Sequence, residues 1–196
     1  MTGVRLQEWT DLAVLAAWFA FGAIFLLRRR PPASPERTRD PMGTVGIVIE
    51  TVGFAIVWSL RRPLGSPLFE APLPALVALC VFTVALAAGS VALTLWSVRT
   101  LGRQWALAAR LVEGHELVTS GPYRYVRNPI YAGLLGMLLA TGLAHSRPLG
   151  LVLGAVVFVA GTVVRVRAEE RLLRGAFGET WEAWAGRTPA LLPGIW

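Results

Sequence analysis

The chain has 196 residues, of which 55% are hydrophobic and only 16% are charged, and its formal net charge is +7. A soluble domain carries about 25% charged residues, so this composition, with its long apolar runs, predicts an integral membrane protein. All 19 basic residues are arginines, and in a membrane protein such an excess marks cytoplasmic loops and not nucleic-acid binding. With one cysteine and two histidines, we expect no disulfide framework and no metal site.

The apolar runs predict an all-α fold with five transmembrane helices. The predicted spans are residues 9–27, 42–60, 72–98, 130–144 and 149–166. The last two are joined by His145 to Pro148 only, which predicts an antiparallel helical hairpin. Gly133, Gly136, Gly150 and Gly154 suit tight helix packing. We divide the chain into three N-terminal helices, 1–98, and a C-terminal core, 99–196.

The arginines predict the orientation of the chain in the membrane. Each of three segments, 28–41, 99–129 and the tail from residue 165, holds five arginines, whereas the opposite side holds four in total. The positive-inside rule therefore places the N-terminus outside and the C-terminus in the cytoplasm. The complete absence of lysine indicates a bacterial source, and so a bacterial inner membrane. The proline-rich 28–41 segment is predicted to be a cytoplasmic linker.

The tail after the fifth span has helical periodicity. Between Glu169 and Trp184, apolar side chains recur near helical spacing, which predicts an amphipathic cytoplasmic tail helix. Its tryptophans are expected to anchor it at the membrane surface. The alternative is that this helix forms one wall of a site.

The segment from His115 to Gly133 predicts a site. It is polar, marked by glycine and proline, and lies between two apolar segments. Irregular backbone at a membrane face persists only where it is buried in protein or lines a wet cavity. Pro129 suits the first turn of a helix and Asn128 a cap position, where free N–H groups can bind a carboxylate. The alternative is a capped helix with an interfacial Tyr131.

Charged residues near the membrane supply further candidates. Arg165 and Glu169 are four residues apart and share one helix face, either as a solvated surface pair or as groups directed into a cavity. Glu50 lies in the middle of the second predicted helix, where an ionisable side chain is energetically costly. It therefore either serves a function or pairs with another helix.

Four blocks of the C-terminal half carry a family pattern. They are LGRQW from residue 101, HELVTSGPYRYVRNPIYAG from 115, EExLLxxxFGxxWxxW from 169 and RTPxLLP from 187. Together they resemble the isoprenylcysteine carboxyl methyltransferase family, and the related phospholipid N-methyltransferases share much of the pattern. The resemblance covers about residues 99–196.

The resemblance implies a membrane methyltransferase that binds S-adenosylmethionine on the cytosolic side and methylates a lipid-like acceptor. The implied cofactor contacts are His115, Glu116, Leu117, Val118, Tyr123, Asn128, Pro129, Ile130, Tyr131 and Glu169. Arg127, Arg165 and Glu170 are the predicted catalytic residues, and Arg165 is also expected to contact the substrate. No metal is implied, because the methyl group of a sulfonium is already activated.

The chain departs from the family pattern at a few positions. Asn128 stands where the eukaryotic carboxyl methyltransferases have histidine, which leaves the acceptor open. Trp181 and Trp184 replace the usual tyrosines. Two other functions remain: an NADPH-dependent oxidoreductase like the membrane sterol reductases, or a non-enzymatic membrane protein on the same scaffold. The reductases carry Asn-Tyr-x-Gly-Glu, whereas this chain has Ile-Tyr-Ala-Gly-Leu from Ile130, which disfavours a reductase.

Overall fold

Six α-helices form most of the part of the chain that the structure describes. The computed structural model describes residues 2–27, 36–105, 110–112, 114 and 116–192. The helices are α1 (Thr2–Leu26), α2 (Met42–Ser59), α3 (Leu73–Leu101), α4 (Pro129–His145), α5 (Pro148–Phe177) and α6 (Glu179–Ala185). Two short strands, β1 (Glu36–Arg39) and β2 (Arg110–Val112), pair antiparallel, and short 3-10 turns occupy Gly102–Gln104 and Gly121–Arg124. The fold is helical, as predicted.

Four helices of the described chain are long and apolar enough to cross a membrane, namely α1, α2, α3 and α5. The predicted integral membrane character is therefore confirmed. Helix α4 is equally apolar but has only 17 residues, fewer than the roughly 20 that a typical bilayer core requires. The fifth span stays a prediction.

Some predicted boundaries were wrong. Helix α5 does not end at residue 166 but continues to Phe177, because residues 167–174 contain no glycine or proline and a single glycine at 175 does not break a helix. Residues 169–177 are thus the end of α5 and not part of a separate tail helix. Gly178, with φ of +50°, ends the helix, and α6 begins beyond it. Part of the predicted 28–41 linker is strand β1, while residues 28–35 lie outside the described residues.

Helices α4 and α5 form the predicted hairpin. Two residues separate them. Tyr131 at the start of α4 packs against Val166 late in α5, and Leu138 further along α4 packs against Phe158 earlier in α5. The two helices therefore run antiparallel, and the first turn of α4 lies beside the charged end of α5.

Glycines bring α2 and α5 into backbone contact. A Cβ atom placed on Gly161 would lie 2.7 Å from the amide nitrogen of Glu50 and 2.9 Å from the carbonyl oxygen of Gly46. Two helical turns further along α2, a Cβ on Gly53 would lie 2.8 Å from the carbonyl oxygen of Gly154 in α5. The predicted packing role is confirmed for Gly154, and Gly133, Gly136 and Gly150 are also closely packed. This contact places Glu50 directly against α5.

Arg62 lies at the end of the helix bundle where α4 ends and α5 begins, and it binds the connection between these two helices. Its guanidinium donates hydrogen bonds to the carbonyl oxygens of Leu143, Ala144 and Ser146. Leu143 and Ala144 lie in the last turn of α4, whose carbonyls lack partners within the helix, and Ser146 is the residue that follows it. Burial lowers the pKa of Arg62, and the carboxylate of Asp11 opposes that shift. Arg62 is therefore a structural cap and not simply a loop charge.

Candidate active site

The loop that precedes α4, residues 116–128, contacts the segment that follows α6, residues 186–192. The backbone N–H of Arg127 donates to the carbonyl oxygen of Pro189 at 2.8 Å, and that of Asn128 donates to Ala190 at 3.0 Å. These bonds fasten the loop that precedes α4 to the segment after α6. The prediction that both belong to one face of the protein agrees with this contact.

Asn128 occupies the cap position of α4, and Pro129 is the first helical residue, as predicted. The side chain of Asn128 makes no capping hydrogen bond to the helix. Its amide nitrogen donates instead to the carbonyl oxygen of Ala190 at 3.0 Å. This bond and that of the backbone N–H hold the segment after α6 against the start of α4.

Tyr131 and Glu169 join α4 to α5. The hydroxyl of Tyr131 donates a hydrogen bond to a carboxylate oxygen of Glu169. The ring of Tyr131 is 5% exposed and packs against Val166, Ala190 and Leu191. Because the tyrosine occupies only one position on this carboxylate, Glu169 retains acceptor capacity for another partner.

Arg165 is bound between helices. One of its terminal nitrogens lies 2.8 Å from a carboxylate oxygen of Glu50, and both side chains are buried. The hydroxyl of Thr162 donates to the other oxygen of Glu50 at 2.9 Å. The guanidinium carbon of Arg165 lies 4.6 Å from the centre of the Tyr131 ring. Of the two roles open to Glu50, pairing with another helix is the one the structure shows.

Arg127 and Glu170 form a second ion pair. The Nε of Arg127 lies 2.8 Å from a carboxylate oxygen of Glu170. A terminal nitrogen of the same guanidinium donates to the carbonyl oxygens of Ala185, at 2.9 Å, and of Thr188. The guanidinium also lies 5.9 Å from the ring centre of Trp181. Arg127 thus connects the loop, the end of α5 and the chain after α6.

An aromatic cluster lines the other side of the loop. Tyr123, Trp181 and Trp184 are buried together, with Leu117 and Val118 packed against them. The expected anchoring of these tryptophans at the membrane surface is wrong, because the loop covers them and leaves Trp181 only 1% exposed. The alternative, that their helix forms one wall of a site, stays a prediction. Burial, with a contribution from nearby Glu169, raises the pKa of Tyr123, so its phenol stays protonated.

The remaining predicted cofactor residues that the structure describes make fewer contacts with the Tyr131–Glu169 pair and the aromatic cluster. Ile130 is half-buried and Pro129 is buried in the first turn of α4, whereas Glu116 is exposed. The backbone N–H of Glu116 donates to the side-chain oxygen of Gln104 at 3.1 Å. His115 lies outside the described residues.

Sequence reasoning missed the partners of Arg165. Neither Thr162 nor Glu50 belongs to a motif that would mark it as a partner of Arg165. The signal lies in the glycines: Gly46 and Gly53 are seven residues apart on α2, as are Gly154 and Gly161 on α5. Matching small-residue spacing on two helices predicts their contact, and hence the neighbours of Glu50.

The candidate site thus combines a polar loop, a helix that starts with Asn-Pro-x-Tyr from Asn128, and the adjacent Glu169 and Glu170 near the end of α5. A family model described as phospholipid methyltransferase matches residues 78–180, which is more than half of the chain. The chain belongs to the phospholipid methyltransferase family. The matched residues include most of α3 and all of α4 and α5, and they exclude α2 with its Glu50.

Relatives confirm the resemblance to isoprenylcysteine methyltransferases. The chain is 31% identical over 99 residues to protein-S-isoprenylcysteine O-methyltransferase B of Arabidopsis thaliana, covering 50% of each protein. It is 30% identical over 87 residues to the protein-S-isoprenylcysteine O-methyltransferase of Schizosaccharomyces pombe, covering 44% of this chain and 37% of the relative.

A third relative has a different name. The chain is 40% identical over 99 residues to the cobalt-zinc-cadmium resistance protein CzcN of Cupriavidus metallidurans, covering 50% of this chain and 45% of the relative. The chain thus spans about half the length of the curated relatives it matches. Within the described part of the chain, no three histidine, cysteine or acidic side chains are grouped to hold a metal ion.

Proposed function

We propose that this protein is an integral membrane methyltransferase that uses S-adenosylmethionine to methylate a lipid-like acceptor. The observation that carries the proposal is the Tyr131–Glu169 hydrogen bond, which holds a carboxylate beside the loop that matches the family. Family membership and the isoprenylcysteine methyltransferase relatives support the reaction class.

The side chains present fit the proposed donor. S-adenosylmethionine supplies an activated methyl group on a sulfonium, and it also has an ammonium, hydroxyl groups and a carboxylate. Glu169 would bind a cationic or hydroxyl part, and the Tyr131 and Tyr123 rings would favour positive charge. Among the described residues, the indole N–H groups of Trp181 and Trp184 are buried without an acceptor. Oxygen atoms of a ligand would satisfy these donors.

An apolar groove between α3 and α4 would accommodate the acceptor's hydrocarbon chain. Its volume is about 400 Å³, and it runs from Leu86 and Leu93 past Trp96 to Tyr125 and Leu192. A hydrocarbon chain in this groove would leave its polar end near the loop. Methyl transfer then requires mainly alignment of the acceptor with the donor and exclusion of water. Arg165 would contact the acceptor's polar group, which is an isoprenylcysteine carboxylate or a related isoprenoid or phospholipid headgroup.

Arg127 and Glu170 act differently in this proposal from their predicted catalytic role. Their mutual ion pair and the hydrogen bonds of Arg127 to the tail favour a positioning role. They would hold the aromatic cluster closed over the loop, so that Tyr123 and the indoles face the ligand. Neither residue is assigned a proton transfer.

We place the site at the cytoplasmic face of a bacterial inner membrane, from the arginine distribution. A test uses one engineered cysteine at exposed Gly175, in a Cys80→Ser background. A membrane-impermeant thiol reagent should label it in inverted vesicles and not in intact spheroplasts. The reverse pattern would contradict the orientation.

Calorimetric titration of the detergent-purified protein with S-adenosylhomocysteine, with NADPH in a parallel titration, tests the activity. Saturable binding of S-adenosylhomocysteine alone is expected. Glu169→Gln should weaken it by about 10- to 100-fold, the value of a charged hydrogen bond. Glu179→Gln, at an exposed glutamate on α6, is the matched control and should bind like the wild type.

Two results would overturn the proposal. Binding of NADPH alone would indicate hydride transfer, and binding of neither ligand by demonstrably folded protein would indicate a non-enzymatic role. After positive binding, transfer of a radiolabelled methyl group to isoprenylcysteine, other isoprenoid or phospholipid acceptors would identify the acceptor class.

A further inference from the structure

Arg165 has two acidic neighbours, and the structure pairs it with the more distant one in sequence. Arg165 and Glu169 are four residues apart on α5, a spacing at which opposite charges attract on a helix surface. Within the described residues, however, the ion pair of Arg165 is with Glu50 of α2. Glu169 accepts the hydroxyl hydrogen of Tyr131 instead.

Two hydrogen bonds hold the carboxylate of Glu50 in place as the partner of Arg165. Its two carboxylate oxygens are bound separately, one by Arg165 at 2.8 Å and the other by Thr162 at 2.9 Å. Its backbone lies against Gly161, where the two helices are in contact. Removing one partner of a buried ion pair leaves a costly unpaired charge, so the guanidinium remains on the α2 side.

The charges of this cluster do not cancel. One guanidinium faces two carboxylates, Glu50 and Glu169, so the cluster has one negative formal charge in excess. Arg165 and Glu50 both lie near enough to interact electrostatically with Tyr131 and Glu169. Because the carboxylate of Glu50 offsets the charge of the arginine, one net negative charge beside Tyr131 is left for a cationic ligand.

We propose that Glu50 is a positioning residue that holds the guanidinium of Arg165 and offsets its charge beside Glu169, so that Glu169 can bind the cationic methyl donor. This inference rests on the proposed function. It makes α2, which lies outside the family match, a part of the donor site. Without the carboxylate of Glu50, the charge of Arg165 would neutralise that of Glu169.

The test compares two ligands that differ in one charge. S-adenosylmethionine is a sulfonium, whereas S-adenosylhomocysteine is the neutral thioether, and the ratio of their dissociation constants measures selectivity for the cation. Glu50→Gln should reduce this selectivity about tenfold, since it neutralises one nearby charge. The double variant Glu50→Gln, Arg165→Gln should recover the wild-type ratio, because Glu169 is again without a competing cation. A merely structural role of Glu50 predicts no such recovery.

The exposed Glu70→Gln is the control for loss of one carboxylate, and it should leave the ratio unchanged. If the wild type binds both ligands and Glu50→Gln has the wild-type ratio, this inference fails while the proposed function stands. If the wild type binds neither ligand, the proposed function itself fails. Should Glu50→Gln not fold, the double variant decides: the wild-type ratio supports the inference, and a tenfold loss overturns it.

Discussion

The contact between α2 and α5 predicts that a single added methyl group at Gly161 destabilises the protein. In Gly161→Ala the new Cβ would lie 2.7 Å from the amide nitrogen of Glu50, whereas ordinary contacts begin at 3.4 Å, so the helices must separate by about 0.7 Å. Overpacking of this kind costs about 1–3 kcal/mol. The separation would also stretch the 2.8 Å ion pair between Glu50 and Arg165.

Gly22→Ala is the matched control. A Cβ on Gly22 in α1 would meet nothing within 4 Å, so this variant gains only helix propensity, up to about 1 kcal/mol. Thermal unfolding in detergent, followed by tryptophan fluorescence, gives the melting temperature of each variant. We expect Gly161→Ala to melt about 2–4 °C lower for each kcal/mol lost, and Gly22→Ala to melt at or slightly above the wild type. Equal melting temperatures for the two variants would refute the close helix contact.

Two further predictions concern the loop. Arg127→Gln should lower the free energy of unfolding by about 2–4 kcal/mol, because it removes charged hydrogen bonds that hold the segment after α6. Limited proteolysis should then cleave that segment faster than in the wild type. Exposed Arg124→Gln should change neither property, and wild-type protection of the segment in Arg127→Gln would contradict the positioning role. Burial raises the pKa of Tyr123 above its ordinary value near 10, so its stabilising contribution is complete below pH 10 and is lost as the pH rises beyond it. Tyr123→Phe should therefore make unfolding free energy less pH-dependent above pH 10, by at most about 1.4 kcal/mol per pH unit, whereas exposed Tyr125→Phe should leave the wild-type slope.

Local sequence features determined much of the architecture. The length of the apolar runs fixed the membrane character, because about 20 such residues are needed to cross a bilayer. The short link after His145 fixed the hairpin, since so few residues can only reverse the chain. The polar loop and the start of α4 at Pro129 were likewise predictable, because the composition of that segment is incompatible with a lipid-exposed position.

Only the tertiary structure decided which surfaces meet. Helical periodicity placed Trp181 and Trp184 on one face, but the partner of that face, the loop with Tyr123, comes from a distant part of the chain. The pairing of Arg165 was equally inaccessible. Its neighbour in sequence is Glu169, yet the glycine contact between α2 and α5 brings Glu50 within 2.8 Å. A sequence states which residues share a face, whereas the partner of each charge depends on which helix packs against that face.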